Sequence, residues 1–513
     1  MPLIPTLRDR RTGLLAFGPD DARCIPDCRV FQIALLPALI ERTQMRRILL
    51  AGFLMWAANA ALAAEPELRV GVAKVKITPP LGVPMAGYYH GRGAEGVHDE
   101  LYAKALVMQQ GEERVALVGL DVILIFGDRV REAREQIQKA TGIAPDHVMI
   151  SATHTHTGPD MGENAARYGD MGDANKLAQK FAQELPGRIA ECVKMADASM
   201  KPARALAAVG QEPSLAFNRR FHMTDGSVGW NPGKGNPNIV KPAGPIDPAV
   251  SVVYFETLEK QPIGCYVNYS VHLDNVGGAM ISADMPATLS RCLSEIKGPD
   301  FVTVYTTGCC GDVNHINVNW PDPQHGHENA ARMGTVLAGD VLRLLPDLKP
   351  VDGALHARSE TVAVPLAPIT PDDVKKAKEI EAKSGSHDST ATSFMEAVKA
   401  FQVLDVARHE GKPIEAEVQV ITLGNAVAWA SIPGEPFVEL GLQLKQESPF
   451  ALTIVPELAN DCIGYLPCRR AFPQGNYEVV SSRCGEGAGE LIVKSAVRML
   501  TDIFVKNGKP ANK

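Results

Sequence analysis

The stretch Val148-Met149-Ile150-Ser151-Ala152-Thr153-His154-Thr155-His156-Thr157-Gly158-Pro159 decides how this chain is read. Its apolar start has the length of a buried strand, and the Gly-Pro pair stops it. His154 and His156 stand two residues apart at the end of the run. In extended backbone both imidazoles face the same side. Two imidazoles on one face suit a divalent metal site, or a metal ligand beside an acid/base group. The plain alternative is a polar strand end whose histidines bond to nearby carbonyls.

Working outward, residues 114–126 form an apolar run holding Asp121, and residues 129–141 have helical spacing. Together with the Val148 run they predict a β-α-β unit and a parallel strand pair. His154 then lies at a strand's C-terminal end, the edge where open α/β sheets bind ligands. The same pattern recurs downstream. Residues 263–271 end in His272, residues 301–307 run into Gly308 to Asn314, residues 426–432 end in Pro433-Gly434-Glu435, and residues 452–455 lead to Asn460 and Gly464-Tyr465. Each apolar run delivers a chemistry-capable residue just past its end, more often than core packing requires. His154, His272 and Glu435 supply two imidazoles and a carboxylate, the ligand set of a catalytic zinc with an open position. Their ligand atoms are expected to converge to roughly 2.0–2.2 Å from a common point.

Other segments carry less chemistry. Residues 68–77 and 101–108 read as strands, with the glycine-rich Gly87 to Gly93 between them, and residues 173–195, 328–345 and 488–504 read as helices. Residues 225–248 form a long Gly/Pro/Asn loop expected to cover the substrate. Thr370-Pro371-Asp372-Asp373 is a helix start. It opens two amphipathic helices, 372–383 and 393–410, read as a helical insertion without a catalytic role.

Composition, at 45% hydrophobic and 22% charged, is that of a globular protein and excludes disorder. Met45-Arg46-Arg47, the apolar residues 48–60 and Ala61-Leu62-Ala63 make a secretion signal that places the protein in the periplasm or outside the cell, with residues 1–44 an upstream extension. Removing residues 1–63 takes away eight Arg and five acidic residues, which moves the formal charge from −7 to −10. That balance does not favour nucleic acid as a partner. An exported chain meets an oxidising compartment, so its eight remaining cysteines are candidates for disulfides, with Cys462, Cys468 and Cys484 the first choice. No Cys-x-x-Cys spacing points to a thiolate zinc cluster. The vicinal Cys309-Cys310 reads as two small buried side chains.

The motifs Thr153 to Pro159, Asn218-Arg219, Asn268 to His272, Gly311-Asp312-Val313, Pro433-Gly434-Glu435, Tyr465 and Tyr477-Glu478 resemble, in order, the catalytic domain of neutral, non-lysosomal ceramidases. The resemblance spans most of residues 69–500. It implies an α/β fold, a mixed sheet with helices and a metal site at strand C-terminal ends, over residues 64–513. It also implies Zn2+ held by His154, His272, Glu435 and Tyr465, with His156, Arg219 and Tyr477 in catalytic positions. The expected substrate is a lipid or small-molecule amide, with peripheral membrane contact. Two departures stand out. Where the family has Gly-Asp-x-Ser-Pro, this chain has Gly311-Asp312-Val313-Asn314-His315, so Asn314 is expected to donate a hydrogen bond in place of a serine nucleophile. The family's C-terminal β-domain is expected to be absent after residue 504. The expected activity is hydrolysis of an N-acyl amide by zinc-activated water. The alternatives are a hydrolase of another small amide or ester, and an inactive, metal-stabilised binding protein.

Overall fold

The strand Val148–Ala152 is buried along its whole length, and it forms one end of a nine-stranded mixed sheet in the computed structural model, which describes residues 66–162, 171–384 and 393–507. The proposed secretion signal and upstream extension lie outside the described residues. From the Val148 end the order is Val148–Ala152, Glu113–Leu120, Tyr102–Gln110, Leu68–Lys76, Lys201–Gln211, Ala249–Thr257, Pro262–Tyr269 and Val302–Thr307, with Lys349–Val351 paired onto Lys201–Gln211 off this path.

Both ends of the sheet are parallel pairs, and each pair has its own crossover helix. Gly127–Thr141 joins Glu113–Leu120 to Val148–Ala152, and Met285–Lys297 joins Pro262–Tyr269 to Val302–Thr307. The β-α-β unit expected around residues 114–152 is therefore present, and a second one mirrors it at the far end. The strands between them pair antiparallel, which makes the sheet mixed. The two ends also approach face to face. A Cβ on Gly119 would stand 2.7 Å from the Tyr305 carbonyl oxygen, so only glycine permits this contact.

A second sheet contains Leu355–Val364, Ile414–Leu423, Val427–Ala430 and Leu452–Ile454, the last two parallel. Fully buried Trp429 joins it to the first sheet by an edge-on contact with Tyr266 at 5.8 Å. Burying aromatic rings of this size contributes on the order of 2 kcal/mol each. Residues 365–413 are inserted between two strands that pair directly, Val364 opposite Ile414. They hold the helices Pro371–Ser384 and Phe394–Ala407, the second opened by a Ser393/Glu396 capping box.

The expected loop at 225–248 differs from its prediction. Val228–Trp230 and Ile239–Pro242 flank Arg220–Met223 in a small three-stranded sheet. The disulfide expectation fails as well, because all eight described cysteines are free. Cys468 donates instead to the Glu439 carboxylate at 2.9 Å, and burial pushes the Cys462 and Cys484 thiols up to about 12.

Candidate active site

Past Ala152 the backbone leaves the strand. Thr153 N–H donates to Leu120 O at 2.8 Å and His154 N–H to Val122 O at 3.0 Å. His154 adopts φ +72°, a left-handed conformation that side-chain-bearing residues seldom occupy and that must be held by its surroundings. The two histidines thus do not share one face of an extended strand, as the i, i+2 spacing suggested. A turn aims them instead, and His156 N–H donates to Leu273 O at 3.1 Å, which ties this turn to the one after the His272 strand. Gly87 packs against His156 so closely that a Cβ there would lie 2.8 Å from the His156 Cβ.

Three imidazoles converge. His154 Nε2 lies 2.9 Å from His272 Nε2 and 3.4 Å from His156 Nε2, and Glu435 Oε2 stands 3.5 Å from the same His154 nitrogen. His154 Nδ1 bonds to the Ile123 carbonyl at 2.8 Å and His272 Nδ1 faces Cys310 Sγ at 3.7 Å. In the neutral rings, donation from Nδ1 to these partners would turn the Nε2 lone pairs toward one another. Glu435 Oε2 has no hydrogen-bond donor among the described residues. Electron pairs and an unsatisfied carboxylate oxygen around one point form an acceptor-only set, and the donor types fit a divalent cation. His154, His156 and His272 form the histidine group able to hold it, so His156 is as well placed to be a ligand as an acid/base group.

The electrostatics follow from burial and mutual charge. Burial and the neighbouring charge of His154 press His156 down to about 3, and the same two causes hold His272 well below the usual imidazole range. Burial also opposes charge on His154, but the Glu435 carboxylate outweighs it and the net direction is up. Burial raises Glu435, yet His154 and the Tyr465 hydroxyl reverse this and hold it below the carboxylate range.

Tyr465 is brought to the cluster by a short parallel pairing of Glu435–Pro436 with Tyr465–Leu466. Its hydroxyl accepts from Arg219 at 3.1 Å, and Arg219 also donates to Gly311 O at 2.7 Å and Glu478 Oε1 at 3.0 Å. Arg220 takes the other Glu478 oxygen at 2.7 Å, so one fully buried carboxylate anchors two buried arginines. Tyr477 stacks on Trp230 at 4.5 Å, and burial keeps its phenol well above the usual range and hence protonated. Asn314 is placed elsewhere. Its amide donates to Asn231 at 3.1 Å, its oxygen accepts from Ile316 N–H at 3.0 Å, and it is not among the residues lining the cavity described next.

His154, His156, Glu435, Tyr465 and Tyr477 line a cavity of ≈ 210 Å³. Its other lining residues include Tyr88 and Tyr89 of the glycine-rich segment and Val398, Phe401, Gln402 and Asp405 of the inserted helix pair. The insertion, read from sequence as remote from the chemistry, walls the site. Residues 225–248, expected to cover it, contribute none of that lining, though Trp230 supports Tyr477. Sequence reasoning also missed three groups behind the cluster. Glu457, with no exposed surface, accepts from Cys310 Sγ at 3.0 Å and from Cys310 N–H at 2.8 Å, so the vicinal cysteine connects a carboxyl group to His272. Asp274 sits 3.0 Å from His315. Burial pushes its pKa upward, but His315 and then His272 outweigh that and hold the carboxyl well below its usual range. Asp274 follows His272 by two residues, a spacing that could have flagged it.

Residues 68–319 match the family described as neutral/alkaline non-lysosomal ceramidase, N-terminal. This part of the chain belongs to the neutral/alkaline ceramidase family. It is 26% identical to the neutral ceramidase of Pseudomonas aeruginosa over 255 residues, 48% of this chain and 36% of that protein. It is 24% identical to neutral ceramidase A of Dictyostelium discoideum over 235 residues, 44% of this chain and 31% of that protein. The matches therefore span about a third of those relatives' length. The fold is also that of the neutral ceramidase crystal structure from Pseudomonas aeruginosa, with a TM-score of 0.68 at 18% identity over 88% of this chain and 76% of the other. A ceramidase structure described as complexed with C2 gives 0.66 at 18% identity, over 87% and 76% of the two chains.

Proposed function

We propose that this protein is a zinc-dependent hydrolase of N-acyl amide bonds. The observation that carries the reading is the convergence of His154, His156, His272 and Glu435, of which His154, His156 and Glu435 line a cavity. His154, His272, Glu435 and Tyr465 would hold the ion. When bound, zinc supplies Lewis-acid polarisation of a carbonyl oxygen and of water.

The protein's own groups complete the chemistry. Tyr477 keeps its proton and can donate a hydrogen bond to an amide oxygen as negative charge develops there. His156 lines the cavity with its Nε2 3.4 Å from His154 Nε2 and burial holds its pKa low, so the ring would take a proton from water or pass one to a departing amine. Arg219, locked by Glu478, fixes the position of the Tyr465 hydroxyl. Asn314 is assigned no step in this scheme: it does not line the cavity, and its amide bonds to Asn231 and Ile316.

The test is release of amine from a panel of N-acylsphingosines and N-acylethanolamines, with zinc added and after chelation. Zinc-dependent release of amine supports the reading, and equal rates in both conditions reject it. Export belongs to the same proposal and rests on the basic, apolar and small-residue pattern of residues 45–63. A secreted protein whose first residue is Ala64 supports it, and retention of the full-length chain in the cytoplasm contradicts it.

A further inference from the structure

The adjacent Cys309 and Cys310 point in opposite directions. Cys309 packs into an apolar core with Leu440 and Leu444 of the helix Val438–Glu447, so tightly that a Cβ on Gly441 would stand 2.6 Å from its sulfur. Cys310 turns the other way, toward the converging histidines. Its Sγ lies 3.0 Å from Glu457 Oε1 and 3.7 Å from His272 Nδ1, and its backbone N–H donates to Glu457 Oε2 at 2.8 Å.

Glu457 is itself held. It has no exposed surface, its N–H donates to Thr307 O at 3.1 Å, and the next residue, Leu458, donates to Gly434 O at 3.0 Å. The anchor is thus tied both to the strand Val302–Thr307, parallel to the one before His272, and to the segment that delivers Glu435. Both oxygens of this carboxyl group go to Cys310, one to its backbone and one to its side chain. A sulfur tethered at both points has little freedom to turn.

A thiol has one hydrogen. Here it goes to Glu457 Oε1, which leaves sulfur lone pairs toward His272 Nδ1, so that nitrogen is the donor and the Nε2 beside His154 is left bare. A bare, oriented Nε2 is what a metal requires of an imidazole, and the group on the other ring nitrogen secures it. His154 takes that support from the Ile123 backbone carbonyl at 2.8 Å. His272 takes it from a side chain, which a substitution can remove. A thiol that only filled space, as Cys309 does, would need neither the carboxyl group nor the imidazole.

From this chain of contacts we infer that Cys310 is a positioning residue for metal binding: tethered by Glu457, its sulfur accepts from His272 Nδ1 and holds the imidazole with Nε2 toward the ion. The inference rests on the zinc reading and adds to it a pair of groups that act through His272.

The experiment compares wild type, Cys310→Ala, Cys310→Ser and Cys309→Ala by two readouts: the zinc dissociation constant, from competition with a chromophoric chelator, and the visible spectrum of the cobalt-loaded protein. Cys310→Ala should bind zinc about 10–100-fold more weakly and shift the cobalt bands, as loss of the group behind a histidine ligand does. Cys310→Ser should fall between, because a hydroxyl can make both bonds on a shorter reach. Cys309→Ala should match wild type, which a general effect of losing a buried thiol would not allow. Wild-type affinity and bands in Cys310→Ala, or an equal loss in Cys309→Ala, would overturn the inference. If Cys310→Ala does not fold, Cys310→Ser decides alone, and wild-type zinc affinity there overturns it. Amide hydrolysis is followed separately in the same samples. Weakened zinc binding in Cys310→Ala beside a wild type that turns over no amide would uphold the inference and reject the amidase, whereas a wild type that takes up no zinc would reject both.

Discussion

The wall that carries His154, His156, Glu435 and Tyr465 grows out of strand ends, whereas the wall that carries Val398, Phe401 and Gln402 belongs to a helix pair hung between two paired strands. The first is fixed from several directions at once. His154 is held by Val122 and Ile123, His156 by Leu273, and Arg219 by Gly311, Glu478 and Tyr465. The second has its own small core of Ala377, Ala400, Val403 and Leu404, and it meets the site through Phe394, which stacks near Tyr477 at 5.8 Å and edge-on to Tyr89 at 5.3 Å. Rigid elements suit groups that must hold a geometry, and an inserted wall can change its side chains without disturbing them. Under the proposed function, the first wall would carry the chemistry and the second the selectivity.

The strongest way to break this division is Glu478→Ala. It leaves Arg219 and Arg220 buried without their common carboxylate, a change that costs about 3–5 kcal/mol when a buried ion pair loses one partner. The midpoint of urea denaturation should fall accordingly, and a loss below about 1 kcal/mol would mean the strand-end wall is not so anchored. Next is Tyr477→Phe, which should lower kcat by roughly 10²–10³ with the fold intact, as loss of an oxyanion donor does. An unchanged kcat would remove Tyr477 from the chemistry.

Glu457 sharpens the comparison through pH. Burial pushes its carboxyl up to about 8, against the opposing pull of His154, while the unfolded chain titrates near ~4.3. Between those values the folded protein holds a proton that the unfolded chain releases. Stability of the metal-free protein therefore falls as pH rises through that window and levels off above it. Glu457→Gln lacks this titration, so urea midpoints at pH 5 and pH 8 should diverge between wild type and variant. Parallel midpoints would contradict the assignment. The smallest effect is expected from Phe394→Ala, on the order of 1 kcal/mol for the lost ring contacts. It should raise KM while leaving kcat within a few-fold. A matching collapse of kcat would mean the helix pair does belong to the chemistry.

Much of the first wall was legible in the sequence. Apolar runs deliver His154, His272 and Glu435 just past their ends, and these three side chains lie together in the structure. The means of convergence was not legible, because φ +72° at His154 is imposed by tertiary hydrogen bonds and not by local propensity. The bonds of Asn314 to Asn231 and Ile316 were not legible either, because its place in a motif says nothing about them. The second wall was invisible for a different reason. An amphipathic helix shows that it packs somewhere, while the pairing of Val364 with Ile414 that brings the two helices to the cavity joins positions fifty residues apart in the chain. Glu457 and Cys310 were missed because an isolated acid and a cysteine pair carry no spacing that links them.

The central claim is that the converging imidazoles bind a metal on which amide hydrolysis depends. The most direct test measures zinc content and hydrolysis of N-acyl amides side by side for wild type and His154→Ala. The account predicts one zinc per wild-type chain, activity lost on chelation and restored by zinc, and loss of both metal and about 10³-fold of activity in the variant. Full hydrolysis by a zinc-free protein, or a His154→Ala variant that keeps its metal and its rate, would contradict it.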